Sequence, residues 1–276
     1  MTTYLPATEA PLKNTGHIKL YSMEDFDSMH RACQLTAQCL DAVGALVKPG
    51  VATADLDRFV YEFGRDHGVV PATLNYRGYP YCSCISINHV VCHGMPSTKP
   101  LKNGDILNID ITFVVDGWHG DSSRMYVAGT PKRAAERLVD LTHRCLMAGI
   151  ETVKPGNKIG AIGEAIQTLA HKERCSVVRD FCGHGLGLLF HDSPNVLHYG
   201  QADDGVEMRP GMIFTIEPMI NLGKQHVKVL RDGWTAVTRD RSLSAQFEHS
   251  VGVTEDGCRI FSLSPGGLHK PELHSD

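Results

Sequence analysis

The stretch Leu101-Lys-Asn-Gly-Asp-Ile-Leu-Asn-Ile-Asp110 returns in outline as Met208-Arg-Pro-Gly-Met-Ile-Phe-Thr-Ile-Glu217, displaced by 107 positions (101 to 208). Upstream, Val47-Lys-Pro-Gly50 returns as Val153-Lys-Pro-Gly156, displaced by 106 (47 to 153). A displacement this constant across separate segments is the mark of a duplicated half-domain. Each copy ends on a carboxylate, so the duplication carries two acidic residues toward one cleft. A cleft of that kind suits a divalent cation, and a metalloenzyme is the first expectation.

Working outward from the first copy, Leu107, Ile109, Ile111, Phe113 and Val115 alternate with Asn108, Asp110 and Thr112. Period-two alternation places the apolar set on the core and Asp110 on the opposite face of a strand over 106–115. Asp116-Gly117 is a two-residue hairpin signal. It pairs Val115 with Trp118 and Asp110 with Ser123, which leaves Asp121 on the face of Asp110, a diagonal neighbour roughly 7–8 Å away by Cα. Carboxylates so spaced can share one metal or hold two about 3.5–4 Å apart. In the second copy Met212, Phe214 and Ile216 face one way and Thr215 and Glu217 the other. Over 245–253, Glu248 shares a face with Gln246 and Ser250, opposite Phe247, Val251 and Val253. Taken singly, each acid fits a solvated strand face; four together, two at duplicated positions, point to a site.

The rest of the chain sets the frame. It has 276 residues, 42% hydrophobic and 21% charged, with a net charge of -4. These are ordinary values for a soluble globular protein and give no reason to expect nucleic acid or an anionic membrane as partner. No apolar run reaches a membrane span and no signal pattern opens the chain, so a cytoplasmic protein is expected. Nine cysteines without CxxC spacing read as reduced thiols.

Residues 1–21 read as an extended N-terminal arm. Ser22 is placed to cap a helix running to about Val47, Thr53 to cap a second ending at Gly68, Thr130-Pro131 to open a third, and a fourth spans about 158–174. Strands are expected over 85–92, 106–115, 118–127, 212–220 and 245–253. No linker divides the chain. The expected architecture is one α+β domain over 22–264 with pseudo-repeats at about 22–130 and 131–262. Its helices pack on one face of a curved antiparallel sheet, with a polar tail over 265–276.

His184 projects from Gly183-His-Gly-Leu-Gly187, which lacks the spacing of a dinucleotide fingerprint. His191 and His93 are further candidates for contact with metal-bound groups or substrate. In order, Asn88-His-Val-Val-Cys-His-Gly94, Asn108-Ile-Asp110, His119-Gly-Asp121, Gly183-His-Gly185, Phe214-Thr-Ile-Glu-Pro218 and Gln246-Phe-Glu-His249 resemble the methionine aminopeptidases, from about Ser22 to Phe261. That resemblance implies the duplicated pita-bread fold. It implies five metal ligands, Asp110, Asp121, His184, Glu217 and Glu248, with Asp121 and Glu248 bridging two ions. The set suits Mn, Fe, Co or Zn. About 31 residues separate Gly185 from Glu217, too few for the insert of the type II enzymes, and no zinc-binding cysteines precede Ser22. The resemblance is therefore to bacterial-like type I enzymes.

It also implies removal of N-terminal methionine from nascent peptides before a small second residue; a monomer is the simplest expectation for the chain, and the ribosome a setting in which it would meet such peptides. Glu217 would act as general acid and base, His191 at the oxyanion and His93 at the scissile nitrogen. Tyr76, Tyr79, Cys84, Phe190 and Trp234 would form the methionine pocket, with Thr73 standing where several relatives carry cysteine. A sodium or potassium ion would sit near Asn88, Val90 and Ser244. Three rivals are weighed against this: a proline-specific peptidase of the same fold, a cysteine hydrolase using Cys92 or Cys182 beside His93 or His184, and a non-catalytic binding module. Proline-specific relatives usually carry an extra N-terminal domain, a cysteine hydrolase leaves the carboxylates unexplained, and binding modules lose the ligands.

Overall fold

A computed structural model describes residues 3–272; positions 1, 2 and 273–276, the ends of the expected arm and tail, lie outside it. Four helices carry the frame. Helix α1 (Met23–Gly44) starts at Ser22, whose hydroxyl accepts from the Asp25 N–H while the Asp25 carboxylate accepts from the Ser22 N–H, a complete capping box. Helix α2 (Thr53–Asp66) is capped at Ala52 rather than Thr53. Thr53 is already helical, and its hydroxyl donates to the Ser97 carbonyl instead. Helix α3 (Arg133–Glu151) opens two residues after Pro131, and α4 (Gly160–Lys172) follows it.

The longest hairpin joins Asp105–Val115 to Trp118–Ala128. Its register is the expected one, with Val115 opposite Trp118, Asp110 opposite Ser123, and Thr112 opposite Asp121. Asp116 and Gly117 both have positive φ, 50° and 85°, as a turn matched to strand twist requires. Leu107, Ile109, Ile111 and Phe113 are fully buried against α1 and α2. A second core lies between α3, α4 and the strands near Ile213–Ile216, and includes Leu138, Ile162, Ile166, Phe214 and Val251. Among the described residues, all strand pairs are antiparallel except Tyr4–Pro6 with Ile18–Leu20.

The two halves repeat one another in their hydrogen bonds. The Gly50 N–H donates to the Leu101 carbonyl, and the Leu101 N–H returns to Val51; Gly156 donates to Met208, and Met208 returns to Asn157. The same duplicated stretches that are alike in sequence therefore make like contacts.

Three expected strands are each broken in two. Residues 85–92 separate into Cys84–Ile87 and Val90–Cys92 around Asn88, which has φ of 55°. Residues 212–220 separate into Ile213–Ile216 and Met219–Asn221, and 245–253 into Ser244–Gln246 and His249–Val253. The last two breaks fall on Glu217-Pro218 and Phe247-Glu248. Proline removes a ladder donor at the first. At the second, the Glu248 N–H turns to the Ser123 carbonyl of the long hairpin. The polar faces are interior, as a site rather than a solvated surface requires: Asn108 is buried and donates to both Ser123 Oγ and the Gln246 carbonyl, tying the halves together across the acids.

The described parts of the arm and tail pack against the rest of the fold. Ile18, Lys19 and Tyr21 are buried. In the tail the Gly266 N–H donates to Asp41, and Lys270 pairs with Asp140 at 2.6 Å.

Candidate metal centre and active site

The hairpin delivers Asp110 and Asp121 to one wall of a cavity of about 390 Å³; the strand Gly183–Gly185 delivers His184, and the two strand breaks deliver Glu217 and Glu248. All five expected ligands meet there. Ligand atoms of Asp121, His184 and Glu248 lie within 4.8 Å of one another. His184 Nε2 stands 3.7 Å from both Asp121 Oδ2 and Glu217 Oε1. Its Nδ1 is 3.1 Å from the Gly185 carbonyl, which fixes the proton on Nδ1 and leaves the Nε2 lone pair facing the carboxylates.

Fixed dipoles hold these groups. Thr112 Oγ1 donates to Asp121 Oδ1 at 2.6 Å, and Thr215 Oγ1 donates to Glu217 Oε1 at 2.8 Å. Gln246 Nε2 approaches Glu217 Oε2 at 3.3 Å. His198 was not singled out in the sequence, yet its buried Nε2 accepts the Glu217 N–H at 3.0 Å. Nothing in the local run Val196-Leu-His198 signals that contact, because it depends on a residue 19 positions away.

No lysine or arginine pairs with any of the four carboxylates among the described residues. Burial is then the largest influence on them. It raises Asp121 to about 7, against the opposing bonds from Thr112 and Ser122. Burial, and next the Asp121 charge, hold Asp110 and Glu248 well above the usual carboxylate range. Glu217 is likewise raised by burial, opposed by the Thr215 bond and reinforced by Asp121 and Asp110. Burial lowers His184 to about 4. Four acids and a neutral imidazole with its lone pair turned inward form a donor set for cations, so these residues fit a divalent metal.

The other expected residues line the same cavity: His93, His191, Tyr76, Tyr79, Cys84, Phe190 and Trp234. The His191 ring lies 4.2 Å from those of His184 and Phe190, and Tyr76 stacks on it at 5.2 Å. Tyr79 meets Trp234 edge-on at 5.1 Å. Phe181 and Met219, which sequence reasoning passed over, complete the apolar wall. Thr73 lines it as well. Away from the cavity, the Asn88 carbonyl accepts the Ser244 N–H at 2.8 Å, and the buried Ser244 hydroxyl has no partner among the described residues.

The cysteines Cys92 and Cys182 also line the cavity, but burial and the Glu217 charge raise both thiols. A nucleophilic cysteine needs the opposite shift.

Residues 27–255 match the model of metallopeptidase family M24. A methionine aminopeptidase of Rickettsia prowazekii is 51% identical over 255 residues, covering 92% of this chain and 98% of that protein. The chain belongs to the methionine aminopeptidases of family M24. The methionine aminopeptidase of Escherichia coli K12 is 48% identical over 248 residues, covering 89% of this chain and 94% of its own. The crystal structure of the Rickettsia family member superposes with a TM-score of 0.88, covering 89% of this chain and all of that one. The fold is thus the family's pita-bread fold, and divalent metal use comes with M24 membership. A prolidase from Pyrococcus furiosus, 19% identical with a TM-score of 0.69, shares the fold alone. Among the described residues, no helix of this M24 chain is long and apolar enough to cross a membrane.

Proposed function

We propose that this chain is a bacterial-like type I methionyl aminopeptidase, a metal-dependent exopeptidase removing the N-terminal methionine of nascent proteins and peptides before a small second residue. The observation that carries this reading is the meeting of four carboxylates, Asp121 and Glu248 buried and Asp110 and Glu217 half-buried, with one imidazole beside an aromatic, thiol-containing pocket. Its likeness to proteins so named supports it.

In this reading Asp110, Asp121, His184, Glu217 and Glu248 would together hold the divalent ions. The donor set accommodates Mn, Fe, Co or Zn. When bound, such ions supply Lewis acidity, polarising the scissile carbonyl and lowering the pKa of water. The chain's own groups do the rest. Glu217 takes the proton of the attacking water and later delivers it to the leaving amine; Thr215 and Gln246 fix its two oxygens for both transfers. His191, which burial lowers to about 2, is a neutral imidazole and offers one N–H to the developing oxyanion. His93, also lowered by burial, faces the scissile nitrogen.

Tyr76, Tyr79, Cys84, Phe190 and Trp234 enclose the methionine side chain, where aromatic walls and a thiol favour a long, polarisable thioether. A sodium or potassium ion belongs beside Asn88, Val90 and Ser244, where the unpartnered Ser244 hydroxyl is a spare donor oxygen. Residues 22–264 act as a single catalytic domain of two halves, about 22–130 and 131–262. The setting is cytoplasmic, on chains emerging from the ribosome, as a monomer with no need of nucleic acid or membrane.

The test is methionine release from a Met-Ala-Ser peptide by metal-stripped protein reloaded with Mn or Co, beside Leu-Ala-Ser and Ala-Pro peptides. Release from the methionine peptide alone, abolished by chelation, is the expected result. Turnover of the Ala-Pro peptide instead would make it proline-specific, and no turnover with any metal would make it a binding module.

A further inference from the structure

Lys19 and Asp192 form an ion pair with both side chains buried, 7% and 4% exposed. The pair bridges regions far apart in sequence. Lys19 sits in the strand Ile18–Leu20 of the N-terminal arm, paired with Tyr4–Pro6 and outside the 27–255 matched to M24. Asp192 directly follows His191. A buried carboxylate with a single cationic partner is held firmly in place, since leaving it unpaired is strongly unfavourable.

The backbone around His191 needs such an anchor. The strand that begins just after it, Asp192–Val196, pairs Asp192 with Gly185 and then shifts register before Asn195, so ladder bonding is interrupted close to the histidine. The His191 ring makes no hydrogen bond among the described residues and is held by packing against His184, Phe190 and Tyr76. Asp192 accepts the Ser193 N–H through Oδ1 at 2.9 Å and Lys19 through Oδ2. Lys19 Nζ also reaches the Lys13 carbonyl at 3.3 Å. One residue on, Asn14, which lines the cavity, accepts from Ser193 Oγ at 3.2 Å.

We infer that the N-terminal arm is a working part of the active site, and that Lys19 is a positioning residue that acts through Asp192 to hold His191 where the oxyanion forms. The inference rests on the role proposed above for His191. It predicts that losing the ion pair loosens His191 and leaves the metal ligands and methionine pocket in place. The loss therefore falls on kcat rather than on KM or metal content.

The experiment compares kinetics of the metal-loaded full chain on Met-Ala-Ser for Lys19→Met, Lys19→Arg, His191→Ala and the double Lys19→Met/His191→Ala. Lys19→Met is expected to lower kcat by roughly 10- to 100-fold, the scale of an ångström of misplacement. KM and bound metal should stay within about twofold on the same grounds. Lys19→Arg should restore most of the rate. The double variant should be no slower than His191→Ala, because a positioning residue has nothing to position once its target is gone. Equal losses from Lys19→Met with and without His191 would overturn the inference while leaving the His191 role standing. A normal rate in His191→Ala would instead remove the reading on which it rests. Should Lys19→Met fail to fold, Lys19→Met/Asp192→Asn removes both charges and carries the same comparison.

Discussion

Thr215, in the strand Ile213–Ile216, and Glu217, just past its end, stand two residues apart, and the threonine hydroxyl donates to Glu217 Oε1 at 2.8 Å. The same hydroxyl accepts the His184 N–H at 3.0 Å, so one side chain ties two of the candidate ligands together. Thr215→Val keeps the shape and removes both bonds. It should lower kcat by about 10-fold, the loss of one charge-assisted bond. Steady-state kinetics on the methionine peptide check this, and an unchanged rate would show that the hydroxyl merely fills space.

Glu217→Gln removes the carboxylate that moves the proton while preserving volume and, through its one remaining oxygen, the bond donated by Thr215, at the loss of the contact with Gln246 Nε2. The expected loss of kcat is about 10²- to 10⁴-fold, the usual contribution of a positioned acid or base. Metal titration by calorimetry should still show binding through the remaining ligands, weaker than in the parent protein. Full retention of turnover would assign the proton transfer elsewhere.

The cluster should make the metal-free protein less stable as pH rises above neutrality. Asp121 is raised to about 7, and Asp110, Glu217 and Glu248 are held well above the usual carboxylate range, by burial. Their folded pKa values exceed the unfolded ones, so between the two the folded state binds more protons and stability falls with rising pH, by about 1.4 kcal/mol per pH unit for each proton involved. The buried histidines work the other way, being lowered by burial: His184 to about 4, His198 and His249 to about 3. Their contribution is lost as pH falls below about 6.5 and is constant above it. The carboxylate effect is therefore isolated above pH 6.5. Thermal melts of chelated protein should shift down from pH 6.5 to 8, and added Mn or Co should reverse the shift with release of protons. A flat profile without metal would mean that the carboxylates are not buried as a group.

The first half of the site was legible because its signals are local. Alternation over 107–115 and the Asp116-Gly117 turn fix which residues face which way, and the register followed. The break at Glu248 was not legible, because alternation reads the same through a break that a distant partner causes, whereas the break at Glu217 carries a local signal in Pro218 that alternation alone does not register. Glu248 leaves its ladder for the Ser123 carbonyl, and Asn108 takes the Gln246 carbonyl from across the fold. His198 and the Lys19–Asp192 pair escaped for the same reason, each acting across a separation that no motif spans. The expected pocket residues rested on resemblance, since an aromatic residue in a loop reads equally as core.

Gly120 shows how closely the frame and the site are coupled. It lies beside Asp121, and its carbonyl accepts from the Thr36 hydroxyl of α1 at 2.7 Å. A Cβ at this position would stand 2.3 Å from the backbone carbon and oxygen of Ala32, also in α1. Backbone atoms in a helix cannot swing aside as a flexible side chain can, so Gly120→Ala must push the helix off the strand that carries Asp121. Overpacking of this kind costs about 1–3 kcal/mol. The displacement should also weaken metal binding, because Asp121 moves with its strand. Urea denaturation of the metal-free protein measures the first effect and metal titration the second. Loss of stability with unaltered metal affinity would show that the hairpin holds Asp121 independently of α1.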